Sequence, residues 1–290
     1  MAPHGTYYPY YLVTGATGNT GTRLTARLVR DGHPVKAAGR KAAPVAGAEP
    51  AAFDWFDRST HDAVLEGVRA VYLVPPVGAA DPAAVMLPFL DRARRAGVRR
   101  AVLLSSSRIP AGGPATGVVH QALPDLFEEW AVLRPSWFMQ NFTGRHQHAD
   151  SIRAEGRITT ATGQGRVAFV DADDIAAVAA HALTDPVPHN TDWVLTGPQA
   201  LSYDEVAAVL SEVTGRRVRH ESVTEEQMIA RYLREVPEDF ATMLARMDTL
   251  IAEGAEDRTT DAVEHVTGHR PRSFAEHAGQ VLIASAVSRS

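Results

Sequence analysis

Three glycines near the start of the chain have a spacing that could hold a phosphate group. They form the pattern G-x-x-G-x-x-G between a short apolar run and a helical pattern. In such a turn the first glycine permits a tight bend, the second lets the backbone approach a pyrophosphate, and the third lets the helix pack on the strand. The free N–H groups at the start of the helix then bind the phosphates; a glycine-rich turn without a ligand is the alternative. The residues expected to contact a dinucleotide are Gly15, Thr17, Gly18, Asn19, Thr20 and Gly21.

The residues after the second predicted strand indicate which dinucleotide the loop holds. A protein that binds NAD normally carries an acidic residue about 20 residues after the glycines, where it binds the ribose hydroxyls. This chain has Gly39-Arg40-Lys41 at that place and no acidic residue nearby. A guanidinium holds a 2′-phosphate by charge-assisted hydrogen bonds, whereas a carboxylate would repel it. Arg40 and Lys41 therefore favour NADP(H) over NAD(H), the alternative being two solvated surface cations.

β-type runs and helical patterns alternate through the first two thirds of the chain. Strands separated by single helices imply right-handed crossovers and a parallel sheet that is covered on both faces. We therefore predict an α/β fold, a Rossmann-type, doubly wound parallel sheet. The predicted strands are Tyr10–Thr14, Val35–Gly39, Ala70–Val74, Arg100–Leu104, Trp130–Arg134 and Trp193–Leu195. The predicted helices are Asn19–Arg30, Thr60–Glu66, a helix from Asp81-Pro82 to Ala96, Val118–Glu129 and Asp171–Leu183.

The alternation loosens after about Trp137, which indicates a second structural region. Ser202-Tyr-Asp-Glu205 and Thr224-Glu-Glu-Gln227 are capping boxes, in which the first and last side chains satisfy each other's backbone donors at a helix start. A further helix is predicted from Asp239 to Ala252. We predict an NADP(H)-binding domain over residues 1–150, to which residues 166–185 return. A smaller, mostly helical substrate-binding lobe is predicted over residues 186–290.

Composition and charge exclude several classes of protein. The chain has 290 residues and no cysteine, which excludes disulfide scaffolds, thiol catalysis and cysteine-based zinc sites. The net charge is −5, and the densest basic cluster, Arg92 to Arg100, falls at the end of a helix, so no nucleic-acid partner is expected. No apolar run reaches the roughly 18 residues of a membrane span, and Met1 to Tyr11 lacks the pattern of a signal peptide. We expect no membrane partner, a cytoplasmic location, and a monomer or homodimer.

Several motifs together resemble the NmrA-like atypical short-chain dehydrogenases, close to the branch of festuclavine dehydrogenase-like reductases. Besides the glycine loop, the likeness rests on Leu104-Ser-Ser-Ser107 and, most specifically, on Val132-Leu-Arg-Pro-Ser-Trp-Phe-Met-Gln-Asn-Phe142. It extends to Leu195-Thr-Gly-Pro198 and Val213-Thr-Gly-Arg216, and so spans most of the chain. The resemblance implies NADP(H) binding, with a small-molecule substrate held between the carboxyl edge of the sheet and the smaller lobe.

The resemblance also implies roles for individual residues around the cofactor. Arg40 would meet the 2′-phosphate and Asp54 the adenine. The cofactor ribose would lie beside Val74, Pro75 and Pro76, and the nicotinamide beside Ser105 and Ser106. The nicotinamide and substrate cavity would be lined by Trp137, Phe138, Met139, Asn141 and Phe142. Simpler roles stay open as alternatives: the prolines could merely end a strand, and the aromatic side chains could belong to the core.

The chain departs from the standard short-chain dehydrogenases in its proton donor. No Tyr-x-x-x-Lys pair follows Ser107, and the corresponding stretch contains His120 instead. A histidine can donate a proton near pH 7, so His120 is the candidate catalytic residue; the alternative is a histidine that caps or packs on a short helix. His146-Gln-His148-Ala-Asp150 lacks a third ligand at a fixed spacing, so no metal site is predicted.

Three functions remain open at this stage. The favoured one is an NADPH-dependent reductase in secondary metabolism, which reduces an imine, an enamine or a conjugated double bond of a small apolar or aromatic metabolite. An iminium already carries the charge that a protein acid would supply, so such a reaction requires positioning and a hydride source above all. The others are a non-catalytic NADP(H) sensor and a non-redox isomerase or cyclase on the same scaffold, since a fold alone does not decide function.

Overall fold

The computed structural model describes residues 9–79 and 81–287, with side chains described as far as residue 281. Most of the segment from Met1 to Tyr11, for which no signal peptide is predicted, therefore lies outside the described residues. Within them the strands are β1 (Tyr10–Thr14), β2 (Val35–Gly39), β3 (Glu49–Ala52), β4 (Val68–Leu73), β5 (Arg100–Leu104), β6 (Glu129–Pro135), β7 (Arg157–Thr160), β8 (Arg166–Val167), β9 (Thr191–Leu195), β10 (Leu201–Ser202) and β11 (Arg219–Ser222).

The helices of the described residues follow the same chain order. They are α1 (Asn19–Arg30), α2 (His61–Leu65), α3 (Pro82–Arg95), α4 (Gly117–Leu126), α5 (Gln147–Glu155), α6 (Ala172–Thr184), α7 (Tyr203–Thr214), α8 (Glu225–Tyr232), α9 (Glu238–Ala252), α10 (Ala262–Thr267) and α11 (Phe274–Val287). Two short 3-10 turns, Arg58–Thr60 and Met139–Phe142, complete the regular structure.

The chain divides into two compact units. The first comprises the described residues up to Pro135, together with Ala172–Leu195 and His265–Gly268, and the second comprises the remaining described segments. The observed boundary at Pro135 comes before the predicted one at residue 150, and the returning segment is Ala172–Leu195, where 166–185 is predicted. The physical reason is that apolar side chains of residues 136–171, such as Met139 and Phe169, belong to the core of the second unit.

The first unit is built on a seven-stranded sheet with the order β3-β2-β1-β4-β5-β6-β9, and every pairing is parallel. This confirms the predicted Rossmann-type, doubly wound fold. From β1 the chain moves outwards through β2 and β3 on one side, and then returns to place β4 on the other side of β1. The strand order therefore reverses between β1 and β4, which is where open parallel sheets bind ligands, at the carboxyl ends of the strands.

Local sequence patterns explain where the strands and helices beside this edge begin and end. β1, β2, β5 and α1 begin and end where they are predicted. Asp81 caps α3 by accepting a hydrogen bond from the N–H of Ala84 (3.3 Å), and Pro82 occupies the first helical position, as predicted. α4 ends at Leu126 rather than at Glu129, because the backbone turns extended at Phe127 to begin β6.

Apolar side chains on one face of the sheet and on α3 form the main core of the first unit. Met86, Phe89 and Leu90 of α3 are fully buried, as are Val71 and Leu103 of neighbouring strands. Burying a side chain of this size stabilises the fold by about 1.5–3 kcal/mol. The core therefore holds the ends of β4 and β5 in fixed positions.

The predicted basic cluster lies at the opposite, amino edge of β5. Arg92 pairs with Asp62 (2.6 Å), and Arg100 pairs with Glu129 (2.7 Å). These two arginines are thus engaged in ion pairs within the unit.

Among the described residues, the second unit contains α5, α7, α8, α9, α11 and the first residues of α10, together with two small sheets. β8 pairs with β10 in antiparallel fashion, and β7 pairs with β11 in parallel. Both predicted capping boxes are confirmed, Ser202 with Glu205 at α7 and Thr224 with Gln227 at α8. None of the helices in the described part of the chain combines the length and the apolar composition that crossing a membrane requires.

Candidate functional site

A buried threonine ties together the two strands at which the strand order reverses. Thr14, at the end of β1, donates its hydroxyl to the carbonyl of Tyr72 (3.0 Å) and accepts from the N–H of Val74 (2.8 Å). The hydroxyl of Tyr72 donates in turn to Oγ1 of Thr20 in α1 (3.1 Å). Burial raises the pKa of Tyr72 well above its usual range, so the phenol stays protonated as the donor. β1, β4 and the start of α1 are thus joined by one hydrogen-bonded network.

The glycine loop, residues 15–21, packs the start of α1 closely against the backbone of Gly15 and Ala16. A Cβ atom at Gly21 would lie 2.2 Å from the carbonyl oxygen of Gly15, so no larger residue fits there. Gly15 has a left-handed backbone (φ 61°), and a Cβ there would lie 2.9 Å from Cβ of Val74. At Gly18 the nearest heavy atom would be 3.2 Å away, and the residue is exposed. The first and third glycines therefore shape the loop, and the second leaves its outer face open.

The exposed start of α1 suits an anion. Gly18 is the N-cap residue and supplies no side-chain cap, and the first turn carries no acidic residue. The first N–H groups of a helix have no partner within it and carry a partial positive charge. Thr17 and Asn19 are exposed, whereas the side chain of Thr20 is buried on Tyr72 and only its main chain remains for a ligand. The loop therefore fits a pyrophosphate, held chiefly by backbone donors.

A cavity of about 350 Å³ in the first unit begins at this loop and extends past the ends of β2 and β4. A neighbouring cavity of about 410 Å³ shares Thr17 and Arg40 with it and adds Lys41. The structure thus brings together most of the predicted cofactor residues. The lining of the first cavity is Gly15, Thr17, Gly18, Gly39, Arg40, Phe53, Asp54, Trp55, Phe56, Val74, Pro75, Pro76 and Val77.

Arg40 and Lys41 are the cations of this region. Both side chains are exposed and line the cavities, and neither forms an ion pair with a carboxylate of the described residues. Their positive charge is therefore available to a ligand. A phosphate in the cavity would be attracted by both.

Asp54 is held rigidly beside the same cavity. Its Oδ1 accepts a hydrogen bond from the N–H of Phe56 (3.0 Å), and its carbonyl oxygen lies 2.9 Å from Nε2 of His61. The second carboxylate oxygen can accept from an amino group such as that of adenine. Trp55 donates its indole N–H to the carbonyl of Val74 (3.0 Å) and so fixes one wall. Sequence reasoning missed Trp55 and Phe56, although the aromatic run that contains them is visible beside Asp54.

The serines at the end of β5 share the carboxyl edge with the glycine loop. Oγ of Ser105 lies 2.8 Å from Oγ1 of Thr116, and the next serine, Ser106, is half-buried. β5 is the neighbour of β4 in the sheet, so both serines end on the side at which the cavity opens. Arg134, which sequence reasoning did not single out, donates to the carbonyl of Ser107 (2.9 Å) and so holds this turn.

His120 lies below that edge, on the inner face of α4. Its N–H donates to the carbonyl of Thr116 (2.8 Å), which places it one helical turn further from the serines. Its side chain is 5% exposed, its ring centroid lies 6.4 Å from that of Trp130, and its Nδ1 has no hydrogen-bond partner. Burial lowers the pKa of His120, with Asp192 opposing this effect and Arg134 adding to it. These surroundings match the alternative of a packed, neutral histidine.

The predicted substrate segment divides into core and accessible residues. Met139 and Phe142 are 1% and 3% exposed and pack in the core of the second unit, the alternative that the sequence left open. Trp137, Phe138 and Asn141 are half-buried. The last three are therefore the members of this segment with surface to offer a ligand.

The paired histidines of α5 have structural roles. Nδ1 of His146 accepts from the N–H of His148 (3.1 Å), which caps the helix. The ring of His148 stacks on Phe142, and burial lowers the pKa of His148 to about 3. Within residues 9–79 and 81–287, no group of three His, Asp or Glu side chains is arranged to hold a metal ion.

Two family profiles match the chain. One is described as the NmrA-like family and matches residues 128–277, and the other is described as NAD(P)H-binding and matches residues 15–186. A relative from Bacillus subtilis (strain 168), named uncharacterized oxidoreductase YesF, is 47% identical over 268 residues, which is 92% of this chain and 93% of the relative. Agroclavine dehydrogenase from Claviceps fusiformis is 40% identical over 276 residues, covering 91% of this chain and 94% of that protein.

Solved structures share the fold at lower identity. The NADPH-dependent quinone oxidoreductase QOR2 of Escherichia coli, crystallised with NADPH, superposes with a TM-score of 0.79 and 22% identity. The similarity covers 94% of this chain and 99% of that one. At this identity the likeness concerns the fold, which agrees with the parallel sheet described above.

The tight contact at Gly21 predicts a difference between two alanine variants. Gly21→Ala must move the loop or the helix, because its Cβ meets backbone atoms, and overpacking of this kind costs about 1–3 kcal/mol. Gly18→Ala has an ordinary backbone conformation and needs only a small shift of the Gly15 carbonyl. Thermal unfolding should therefore show a clear loss of stability for Gly21→Ala and little change for Gly18→Ala. Equal stability of the two variants would contradict the packing described here.

Proposed function

The chain belongs to the NmrA-like family of NAD(P)H-binding oxidoreductases, and we propose that it is an NADPH-dependent reductase of a small apolar or aromatic metabolite. The main support for NADPH as the cofactor is the position of Arg40 and Lys41. Both stand exposed beside the glycine loop, at the place where an NAD-specific protein carries an acidic residue.

Different residues of the first unit bind different parts of the cofactor. The N–H groups at the start of α1 bind the pyrophosphate, Arg40 binds the 2′-phosphate, and the carboxylate of Asp54 accepts from the adenine amine. Val74, Pro75 and Pro76 form the wall beside the ribose, and Ser105 and Ser106 lie beside the nicotinamide. When bound, NADPH supplies a hydride.

Within the predicted substrate segment of residues 137–142, the substrate contacts the accessible residues Trp137, Phe138 and Asn141. Aromatic side chains offer large apolar surfaces to flat or apolar ligands, and an amide supplies one polar anchor. A relative named agroclavine dehydrogenase supports a substrate from secondary metabolism. We therefore propose that the bond reduced is an imine, an enamine or a conjugated double bond.

The first prediction of this proposal concerns the choice between the two nucleotides. The protein should bind NADPH at least about tenfold more tightly than NADH, because one hydrogen bond to a charged group contributes about 1.5–3 kcal/mol. Arg40→Ala should remove most of this preference, measured by calorimetric titration with both nucleotides. Arg30→Ala, at the opposite end of α1, is the matched control and should keep it. Equal affinities in the unchanged protein would defeat the assignment of Arg40.

The second prediction concerns the reaction. Incubated with imines, enones and quinones, the protein should oxidise NADPH with at least one class, followed by the loss of its near-ultraviolet absorbance. Trp137→Ala should raise KM without changing NADPH affinity, because this proposal assigns the accessible surface of its indole to the substrate and not to the nucleotide. His120→Asn should leave turnover close to that of the unchanged protein, because the side chain of His120 is 5% exposed and offers little surface to a substrate. Tight NADPH binding without turnover of any class would instead favour a sensor or a non-redox enzyme.

A further inference from the structure

The second unit contains a cavity of its own. Its volume is about 400 Å³, and its described lining comes from α5, α7, α11 and the segment that leads into β11. That lining includes none of the residues to which NADPH and the substrate are assigned above. Phe142, Leu210 and Val218 form part of the wall, and these side chains are 3%, 3% and 8% exposed. The cavity therefore reaches the apolar core of the second unit.

Three exposed arginines line the same cavity, whereas its described lining contains no carboxylate. They are Arg153, Arg216 and Arg217. The guanidinium of Arg153 donates to the carbonyl of Gly144 (3.3 Å) and pairs with the carboxylate of Asp150. Arg153 is therefore already engaged within the unit.

The other two arginines have no such partners. An arginine near the end of a helix commonly donates to the last carbonyls of that helix. Arg216 and Arg217 follow the end of α7, but among the described residues neither side chain donates to a carbonyl or pairs with a carboxylate. The positive charge of both side chains is therefore available to a ligand.

The backbone that carries these two arginines is held in place. Oγ1 of Thr214 accepts a hydrogen bond from the N–H of Arg216 (3.2 Å). Gly156, the left-handed cap of α5 (φ 62°), packs so closely here that a Cβ atom on it would lie 2.6 Å from the carbonyl oxygen of Arg217. A ligand would thus have to order only the two side chains, which limits the entropic cost of binding.

An apolar cavity with two exposed cations matches one class of ligand. A guanidinium binds a carboxylate through two parallel, charge-assisted hydrogen bonds. The wall stabilises an apolar body by removing it from water. A neutral apolar molecule would leave the two charges unused, and an inorganic anion would leave the apolar wall in contact with water.

We propose that this cavity is a second ligand site, which binds a small carboxylate with an apolar body. Arg216 and Arg217 bind the carboxylate, and the wall formed by Phe142, Leu210 and Val218 contacts the apolar part. The site involves neither the glycine loop nor NADPH, so the inference goes beyond the proposed reductase function and is tested separately from it.

Octanoate is a suitable probe of the nucleotide-free protein. Calorimetric titration should show saturable binding at one site. Octanol, which has the apolar chain without the charge, and acetate, which has the charge without the chain, should each bind at least about tenfold more weakly. Replacing both Arg216 and Arg217 by alanine should weaken octanoate binding at least about tenfold, because hydrogen bonds to a charged group are lost. Octanol binding should stay unchanged in this double variant.

Two single variants are matched controls. Arg219→Ala removes a neighbouring exposed arginine that is absent from the described lining of the cavity. Arg40→Ala removes the cation assigned to the nucleotide, which offers an anion a competing site in the first unit. Neither change should alter octanoate affinity. All the variants should unfold at close to the temperature of the unchanged protein, because the replaced side chains are exposed.

Nuclear magnetic resonance locates the bound octanoate. In a 1H–15N spectrum the amide signals of Gly156 and Val218 should shift, and those of residues 15–21 should not. Equal affinities for octanoate and octanol, or an octanoate affinity unchanged in the double arginine variant, would overturn the proposal. Loss of octanoate binding in Arg40→Ala, with shifts at residues 15–21, would place the anion in the nucleotide site and would also overturn it. NADPH binding and oxidation test the proposed function independently of these results.

Discussion

The close approach of the start of α1 to the backbone of its own loop is the constraint on which the cofactor site depends. The space between Gly21 and the Gly15 carbonyl admits no side chain, and the network from Thr14 through Tyr72 to Thr20 fixes the same helix to β1 and β4. A helix held this way presents its uncapped N–H groups outward at the reversal of the strand order. The positive end of its dipole then acts where the sheet is open.

Parallel strand pairing places the other predicted cofactor residues near the start of α1. The carboxyl ends of β3, β2, β1, β4 and β5 meet at one edge. The positions of Arg40, Asp54 and Ser105 therefore follow from the strand order. Arg40 lines the cavity and forms no ion pair with a carboxylate of the described residues, and its charge is the basis of the proposed preference for NADPH. In the second unit, the carboxylate of the fully buried Asp171 and the hydroxyl of the half-buried Thr143 contact the two ring nitrogens of His277.

Sequence reasoning was most accurate where structure is determined locally. The strands before and after the glycine loop and both capping boxes depend on neighbouring residues, and their positions match the structure. The end of α4, the boundary at Pro135 and the burial of Met139 depend on packing between distant segments. The pairing of Thr143 with His277 joins residues 134 positions apart, and no local pattern announces it. His120 was predicted as the catalytic residue from its type and its place in the chain, whereas its burial results from packing of α4 on the sheet.

A crystal structure of the chain grown with NADPH tests most directly whether the nucleotide binds where β1 and β4 separate at the carboxyl edge of the sheet. The pyrophosphate should lie within hydrogen-bonding distance of the N–H groups at the start of α1, and the 2′-phosphate should contact the guanidinium of Arg40. A nucleotide bound away from the glycine loop, or one whose 2′-phosphate points into solvent with Arg40 turned aside, would contradict it.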